Sequence, residues 1–205
     1  MSAMRPIATD TADFADLLRR GCIYVDKTMY VHRLVTSTEA KLFFMSRPRR
    51  FGKSLTVSVL KALFQGRREL FEGLAIDKTD WNWETCPVIH FDFSNVTTVS
   101  MKDFEVSLAF HIQGRLEKAG YSYDKALPPS ENFGDAIESL SAANGGKGVV
   151  ILIDEYDAPV GHCLDNIEMA EAVRARLSAI YSQMKSRTGD IRLLFMTGVS
   201  KFTKL

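Results

Sequence analysis

The stretch that decides the fold reads Ser46-Arg47-Pro48-Arg49-Arg50-Phe51-Gly52-Lys53-Ser54. An apolar run at residues 41–45 precedes it, and residues 54–64 follow with apolar side chains at helical spacing. This order predicts a strand, a basic turn and then a helix that begins at Gly-Lys-Ser. Successive backbone N–H groups in a tight turn, together with a helix N-terminus, make a concave set of donors for phosphate oxygens. The stretch therefore predicts a phosphate-binding loop.

Three consecutive residues of this loop have candidate roles in binding a nucleotide. Gly52 lets the backbone approach closely, Lys53 places its charge on the β- and γ-phosphates, and Ser54 Oγ is a candidate ligand of Mg²⁺. The pattern G-x-x-x-x-G-K-[ST] requires glycine at position 47, where this chain has Arg47 followed by Pro48. Two interpretations stay open. In the first, the arginines contact phosphate of a nucleotide. In the second, the stretch is a basic turn that caps a core helix or contacts nucleic acid. The candidate nucleotide-binding residues of the loop are Arg49, Arg50, Phe51, Gly52, Lys53, Ser54 and Leu55.

A second informative stretch reads Val149-Val150-Ile151-Leu152-Ile153-Asp154-Glu155. A run that is apolar throughout is typical of a central strand covered on both faces. At its carboxyl end, Asp154 is a candidate Mg²⁺ ligand and Glu155 a candidate general base that polarises the attacking water. Adjacent residues of a strand point to opposite faces, so the two carboxylates need not compete for one position. The alternative is that Asp154 and Glu155 only end a buried strand at the solvent boundary.

The rest of the chain alternates strands with helices. Further strands are predicted over residues 87–94 and 191–196, and helices over 13–20, 29–35, 104–119, 133–143 and 170–184. The alternation predicts an α/β fold with a mostly parallel sheet. Together with the phosphate loop it indicates a P-loop NTPase three-layer sandwich of the additional-strand ATPase type, truncated before its last strand. We expect one domain over residues 1–205, in which segment 1–40 precedes a nucleotide-binding core over residues 41–205.

Thr197 follows the last predicted strand, with Ser200 nearby. In a parallel sheet the carboxyl end of that strand would lie beside Asp154. Thr197 is then a candidate catalytic sensor that hydrogen-bonds the γ-phosphate or the attacking water; the alternative is an ordinary turn residue. A guanine-reading N/T-K-x-D element is not visible in the expected late position, which favours ATP over GTP.

The composition limits the class of protein. The net charge of +1 over 205 residues does not indicate a nucleic-acid binder. Three cysteines, Cys22, Cys86 and Cys163, have no metal-ligand spacing and predict reduced thiols. The sequence has neither a signal-peptide pattern nor an apolar run long enough to span a bilayer. These features predict a cytoplasmic protein that does not contact a membrane.

Several stretches together resemble one known family, the predicted AAA-ATPase-like proteins of bacteria and related organisms. The likeness extends from about Pro6 to Phe202, and the Arg-Pro-Arg-Arg opening of the loop is itself a mark of that family. The other stretches that carry it are Tyr24-Val25-Asp26-Lys27-Thr28, Ile153-Asp154-Glu155-Tyr156-Asp157-Ala158-Pro159 and Thr197-Gly198-Val199-Ser200-Lys201-Phe202. The resemblance implies an ATP-binding domain that uses Mg²⁺ as its cofactor.

The resemblance also bears on the N-terminal segment and on partners. In related ATPases the residues before the loop strand help to form the adenine pocket, so Tyr24 is a candidate for stacking on the base, with Asp26 beside it. The alternative for both residues is packing against the core. Family members usually carry a C-terminal region that resembles a PD-(D/E)XK nuclease; this sequence contains nothing of that kind, and the nuclease function is not carried over.

Three functions stay open at the level of sequence. The first is an Mg²⁺-dependent ATPase, and the second is a nucleotide-dependent switch that hydrolyses little ATP and controls a fused region or a separate effector. The third is a nucleic-acid-binding module that uses the arginine-rich loop. Assembly into a homo-oligomer, with an arginine supplied by a neighbour, is a further expectation from related ATPases.

Overall fold

The chain folds around one parallel β-sheet. A computed structural model describes residues 5–199. The strands are β1 (Leu42–Ser46), β2 (Val88–Asp92), β3 (Val149–Asp154) and β4 (Ile191–Gly198). They lie in the spatial order β1-β4-β3-β2, and every neighbouring pair is parallel. The last strand in the chain therefore separates the strand before the basic turn from the strand that ends in Asp154.

Helices supply the crossovers that parallel strands require. Within the described residues they are α1 (Phe14–Arg19), α2 (Thr28–Val35), α3 (Lys53–Phe64), α4 (Met101–Lys118), α5 (Pro129–Ala143), α6 (Ala158–Gly161) and α7 (Ile167–Ser186). None of them is both long enough and apolar enough to cross a membrane.

Most predicted elements are confirmed, with ends that differ by up to four residues, and three of the differences have a clear cause or consequence. Helix α5 begins at Pro129 rather than at residue 133, because a proline in the first turn of a helix gives up no intrahelical hydrogen bond. Strand β4 continues to Gly198, so Thr197 lies inside the strand rather than after it. The short helix α6 was not predicted, since four residues are too few to show a periodic pattern.

Two hydrophobic cores cover the two faces of the sheet. Val150 and Leu152 of β3 pack with α3 on one face, which we call the α3 face. Ile151 and Ile153 pack with α4, α5 and α7 on the other face. All six residues of β3 are buried, which confirms the predicted central strand. β2 lies at the sheet edge with alternate residues buried.

Candidate nucleotide-binding site

Both candidate motifs lie where the strands have their carboxyl ends, which we call the carboxyl edge of the sheet. Because the strands are parallel, their carboxyl ends meet there, and the turn after β1 faces the same way as the residues that follow β3. One strand, β4, separates β1 from β3, so the two strand axes are about 10 Å apart. The fold thus brings the basic turn and the acidic pair to one place.

The turn between β1 and α3 alternates in backbone handedness. Arg50 and Gly52 adopt left-handed conformations with φ of 66° and 75°, while Arg49 and Phe51 do not have positive φ. Alternation of this kind points successive N–H groups toward one side and makes an anion-binding concavity. A left-handed backbone costs a non-glycine residue roughly 1–2 kcal/mol. Strain of that kind concentrates at functional sites, and Arg50 carries it here.

Lys53 is buried beneath this turn, with 5% of its surface exposed. Its Nζ donates hydrogen bonds to the carbonyl oxygens of Arg47 at 3.1 Å and Pro48 at 3.2 Å. The ammonium therefore lies against the first half of the turn. The following residues, Ser54 and Leu55, are half-buried in the first turn of α3, where Leu55 packs against the core of the α3 face.

The remaining loop residues face solvent. Arg47, Arg49 and Arg50 are all exposed, and Phe51 is 61% exposed at the tip of the turn. Three guanidinium groups next to a set of converging N–H donors give this part of the surface a local positive potential. Such an environment suits a polyanionic ligand.

The acidic side of the site is organised around Thr197, which is completely buried. Its hydroxyl donates to Oδ1 of Asp154 and accepts a 3.3 Å hydrogen bond from the backbone N–H of Glu155. Its carbonyl oxygen accepts from the N–H of Tyr156 at 3.0 Å. One residue of β4 therefore fixes three successive residues at the end of β3. A contact of Thr197 with γ-phosphate or water stays a prediction.

Asp154 and Glu155 differ in how they are held. Asp154 is 5% exposed, and the alternation of β3 places its side chain on the α3 face, the face of Ser54. The expectation that the two carboxylates alternate within one strand does not hold, because β3 ends at Asp154. Glu155 instead turns the chain with φ of 49° and is half-buried.

The N-terminal candidates lie elsewhere on the α3 face. The carboxylate of Asp26 accepts from N and Oγ1 of Thr28, at 2.8 and 2.7 Å, and from N of Ala75 at 2.7 Å, which ties the start of α2 to the loop after α3. The ring of Tyr24 packs edge-on against Phe14 at 5.0 Å. Burial, with a smaller contribution from Asp26, raises the pKa of Tyr24 to about 12. These contacts are those of core packing, and the stacking of Tyr24 on a base stays a prediction.

The structure adds one carboxylate that the sequence interpretation missed. Asp92 ends β2 and lies opposite Asp154 in the register of the two strands. Its oxygens accept hydrogen bonds from N and Oγ of Ser94, at 3.0 and 2.6 Å, and from Nδ2 of Asn95 at 3.1 Å. The available signal was an aspartate two residues before the end of the strand predicted over residues 87–94, which the structure ends at Asp92. In a parallel sheet that places the aspartate at the same edge.

The donor set at this edge fits magnesium. Within residues 5–199 no group of three or more His, Cys, Asp or Glu side chains is arranged to hold a metal ion. Mg²⁺ does not need such a group, because it keeps several waters and usually takes one or two protein oxygens together with substrate phosphates. The hydroxyl of Ser54 and the carboxylate of Asp154 are oxygen donors of this chemical type on the same face of the sheet, and their binding of Mg²⁺ stays a prediction.

A parallel sheet whose first strand leads through Gly-Lys-Ser into a helix is compatible with the P-loop NTPase-like class of α/β proteins. The chain belongs to the AAA-ATPase-like family, described as predicted AAA-ATPases, whose model matches residues 6–205. The resemblance noted in its motifs is thereby confirmed; of the residues that carried it, Ser200, Lys201 and Phe202 lie outside the described part.

One relative extends well beyond the length of this chain. It is an uncharacterized protein in the vnfD 5' region of Azotobacter chroococcum mcd 1, to which the chain is 37% identical over 186 residues. The match covers 89% of this chain and 34% of that protein, so the chain spans about a third of its relative's length. No solved structure matches the chain.

Proposed function

We propose that the chain is an ATP-binding domain that hydrolyses ATP with Mg²⁺ at the carboxyl edge of its sheet. The observation that carries the proposal is the meeting, at one edge, of a left-handed Gly-Lys-Ser turn and a fixed Asp-Glu pair. The strand order supports it as well, because β4 lies between the loop strand and the Asp-Glu strand, as in additional-strand ATPases. Membership of a family of predicted AAA-ATPases makes ATP binding plausible.

Binding uses the turn and the start of α3. The N–H groups around Gly52 and the positive end of the α3 dipole hold the β- and γ-phosphates. Lys53 exchanges its carbonyl partners in the turn for phosphate oxygens, which are stronger acceptors because the bond joins two full charges. Arg49 and Arg50 stand at the exposed rim, where a guanidinium can neutralise charge that develops during phosphoryl transfer.

Hydrolysis uses the acidic side. Bound Mg²⁺ supplies charge neutralisation between the phosphates, and Ser54 and Asp154 are the side chains that would hold it. Glu155 accepts the proton of the attacking water as general base. Thr197 keeps both carboxylates in place, because its hydroxyl contacts Asp154 while it also accepts from the backbone of Glu155.

One observation favours a second candidate function. The relative is about three times as long as the matched region, so other parts of such proteins could respond to nucleotide bound here. In that case the chain is a nucleotide-dependent switch with slow hydrolysis, and a C-terminal nuclease-like region, a separate effector or a second copy of the chain is the responding partner.

The test compares binding with turnover. Binding of a fluorescent ATP analogue is measured with and without Mg²⁺, and phosphate release is measured on the same samples. Lys53→Ala should weaken binding at least about 30-fold, since a charge-assisted contact is worth about 2 kcal/mol. Lys118→Ala, which removes an exposed lysine at the end of α4, is its matched control and should bind like the wild type.

Glu155→Gln separates the two candidate functions. It should keep the affinity for the analogue within about twofold and lower phosphate release at least about 100-fold, as expected for loss of a general base. Glu168→Gln, at an exposed position of α7, is the matched control. Analogue binding without measurable release by the wild type would support the switch. Wild-type release by Glu155→Gln would show that another group is the base. DNA binding that Arg49→Ala weakens, without any ATP binding, would replace both candidates.

A further inference from the structure

The backbone of Glu155 needs an external support. Its φ of 49° is a left-handed conformation that a glutamate adopts only at a cost of roughly 1–2 kcal/mol. Such conformations persist where the surrounding structure over-determines them. The hydrogen bonds from Glu155 and Tyr156 to Thr197 supply part of that support. The other part comes from the next residues of both segments.

Asp157 and Gly198 complete the attachment. Asp157 is 7% exposed, and its Oδ2 accepts a 3.0 Å hydrogen bond from the backbone N–H of Val199. Gly198 lies close to residues 155–157, which we call the acidic turn. A Cβ at position 198 would be 2.5 Å from Cδ1 of Tyr156 and 2.7 Å from Oδ1 of Asp157. A side chain at position 198 would displace the ring of Tyr156 or the carboxylate of Asp157, the two residues that follow Glu155.

Gly198, the last residue of β4, and Val199, which follows it, also hold the phosphate loop. The carbonyl oxygen of Gly198 accepts from the N–H of Arg47 at 3.2 Å, and that of Val199 accepts from Oγ of Ser46 at 3.0 Å. Residues 198 and 199 thus stand between the loop and the acidic turn and bond to both. They fix the separation of the two halves of the candidate site.

We propose that Asp157 and Gly198 are positioning residues that hold Glu155 in its left-handed conformation and thereby aim its carboxylate at the attacking water. The proposal rests on the proposed function, since it concerns the base of that reaction. Asp157 does not touch the nucleotide in this account. It acts through the N–H of Val199, and Gly198 acts by leaving room for Tyr156.

The first test uses two substitutions at position 157. Asp157→Ala removes the acceptor for Val199 and should lower kcat about 10- to 100-fold, as misorientation of a general base does, with analogue affinity within about threefold of wild type. Asp157→Asn keeps an oxygen that can accept the same hydrogen bond, so it should restore kcat to within about fivefold. Asp165→Ala, which removes an exposed carboxylate before α7, is the control for charge.

The second test asks whether Asp157 acts through Glu155. In a Glu155→Gln background, Asp157→Ala should cause no further loss of kcat, because residues that act as one unit are not additive. Gly198→Ala should behave like Asp157→Ala in both backgrounds. The positioning role would be overturned if the two substitutions multiplied their losses of kcat in the double variant. It would also be overturned if Asp157→Ala and Asp157→Asn lost affinity and kcat to the same extent.

A third measurement does not depend on turnover. Without nucleotide, Asp157→Ala should speed amide hydrogen exchange of Glu155, Tyr156 and Val199 at least about fivefold, whereas Asp157→Asn should change it less than about twofold. If the wild type releases no phosphate, the proposed hydrolysis fails while this measurement still decides whether Asp157 holds the turn. Unchanged exchange in Asp157→Ala would contradict the proposal whatever the turnover.

Discussion

The two halves of the candidate site are built in opposite ways. The phosphate loop is exposed at Arg49, Arg50 and Phe51, and its lysine bonds to the carbonyl oxygens of the loop itself. The acidic turn is largely buried, and hydrogen bonds to Thr197 and Val199 fix three successive residues of it. Beyond Arg47 the loop is held mainly by its own backbone, whereas the acidic turn is held by β4 and the residue that follows it.

Under the proposed function, this difference separates the binding of the nucleotide from its hydrolysis. A loop whose donors rest on its own carbonyl oxygens can rearrange when a stronger acceptor arrives, and the binding energy of the ligand orders it. A general base gains from being fixed beforehand, because reorganisation during the reaction raises the barrier. We therefore expect damage to the acidic turn to affect stability and turnover, and damage to the loop to affect binding.

The largest effect should come from Thr197→Val, which keeps the shape of the side chain and removes the hydroxyl. Asp154 then loses a donor and the N–H of Glu155 loses an acceptor, both in a buried place. We expect the free energy of unfolding to fall by about 2–3 kcal/mol, measured by urea denaturation without nucleotide. Thr197→Ser keeps the hydroxyl and should cost only about 1 kcal/mol for the lost methyl group. Equal stabilities of the valine and serine variants would show that the hydroxyl does not support the acidic turn.

The second-largest effect should be a loss of stability in acid, of about 2 kcal/mol, that is caused by His90 of β2. Burial, followed by Lys61 and Arg115, lowers the pKa of His90 to about 4, while Asp154 and Asp92 oppose the shift. In the unfolded chain the pKa is about 6.5, so between pH 6.5 and 4 the unfolded state binds the extra proton. Stability contributed by neutral His90 is thus present above pH 6.5 and is lost as the pH falls toward 4. Between pH 7 and pH 5 the loss should be about 2 kcal/mol.

The comparison that isolates this effect is the pH profile of His90→Gln. The variant lacks the ionisation, so its free energy of unfolding should fall less between pH 7 and pH 5 than that of the wild type. Parallel profiles for the two proteins would show that His90 is not buried in its neutral form.

A third, smaller effect concerns amide hydrogen exchange and compares the phosphate loop directly with the acidic turn. Addition of a non-hydrolysable ATP analogue with Mg²⁺ should slow amide exchange in residues 49–53 at least about tenfold, because the loop becomes ordered around phosphate. Exchange in residues 155–157 should change less than about twofold, since that turn is already held. Similar protection of both segments would mean that the acidic turn, too, is ordered only by ligand.

The smallest effect should come from relieving strain in the loop. Arg50→Gly removes the steric cost of a left-handed arginine and should raise the free energy of unfolding by about 0.5–1 kcal/mol. Arg49→Gly is the matched control, because position 49 does not have positive φ and glycine there only adds freedom to the unfolded chain. It should lower stability by about 0.5 kcal/mol. A destabilising Arg50→Gly would show that the guanidinium makes contacts worth more than the strain.

Local patterns were enough to predict the four strands and every helix except α6. The apolar run of β3 and the helical spacing after Lys53 report burial and periodicity, which depend on neighbours in sequence. The expected meeting of the carboxyl ends of β3 and β4 also followed from the parallel arrangement, and the register confirms it.

What the sequence could not supply depends on residues far apart in the chain. The left-handed backbone of Glu155 is stabilised by Thr197 and Val199, more than 40 positions away, so alternation within a strand was the wrong rule for it. The packing of Tyr24 on Phe14 depends on how α1 lies against α3, which no periodicity reveals. A pair of prolines in the sequence indicates a loop. In the structure Pro129 is the first residue of α5, where a proline is tolerated because it gives up no intrahelical hydrogen bond.

The order β1-β4-β3-β2 has a consequence for biosynthesis. Ser46 and its partner Val199 are separated by 153 positions, and β4 is the neighbour that β1 pairs with. A ribosome adds roughly 5–20 residues per second, so the loop strand waits roughly 8–30 s before its neighbour has been translated. During that interval β1 lacks the strand that it pairs with, and the two halves of the candidate site can meet only after β4 has been translated.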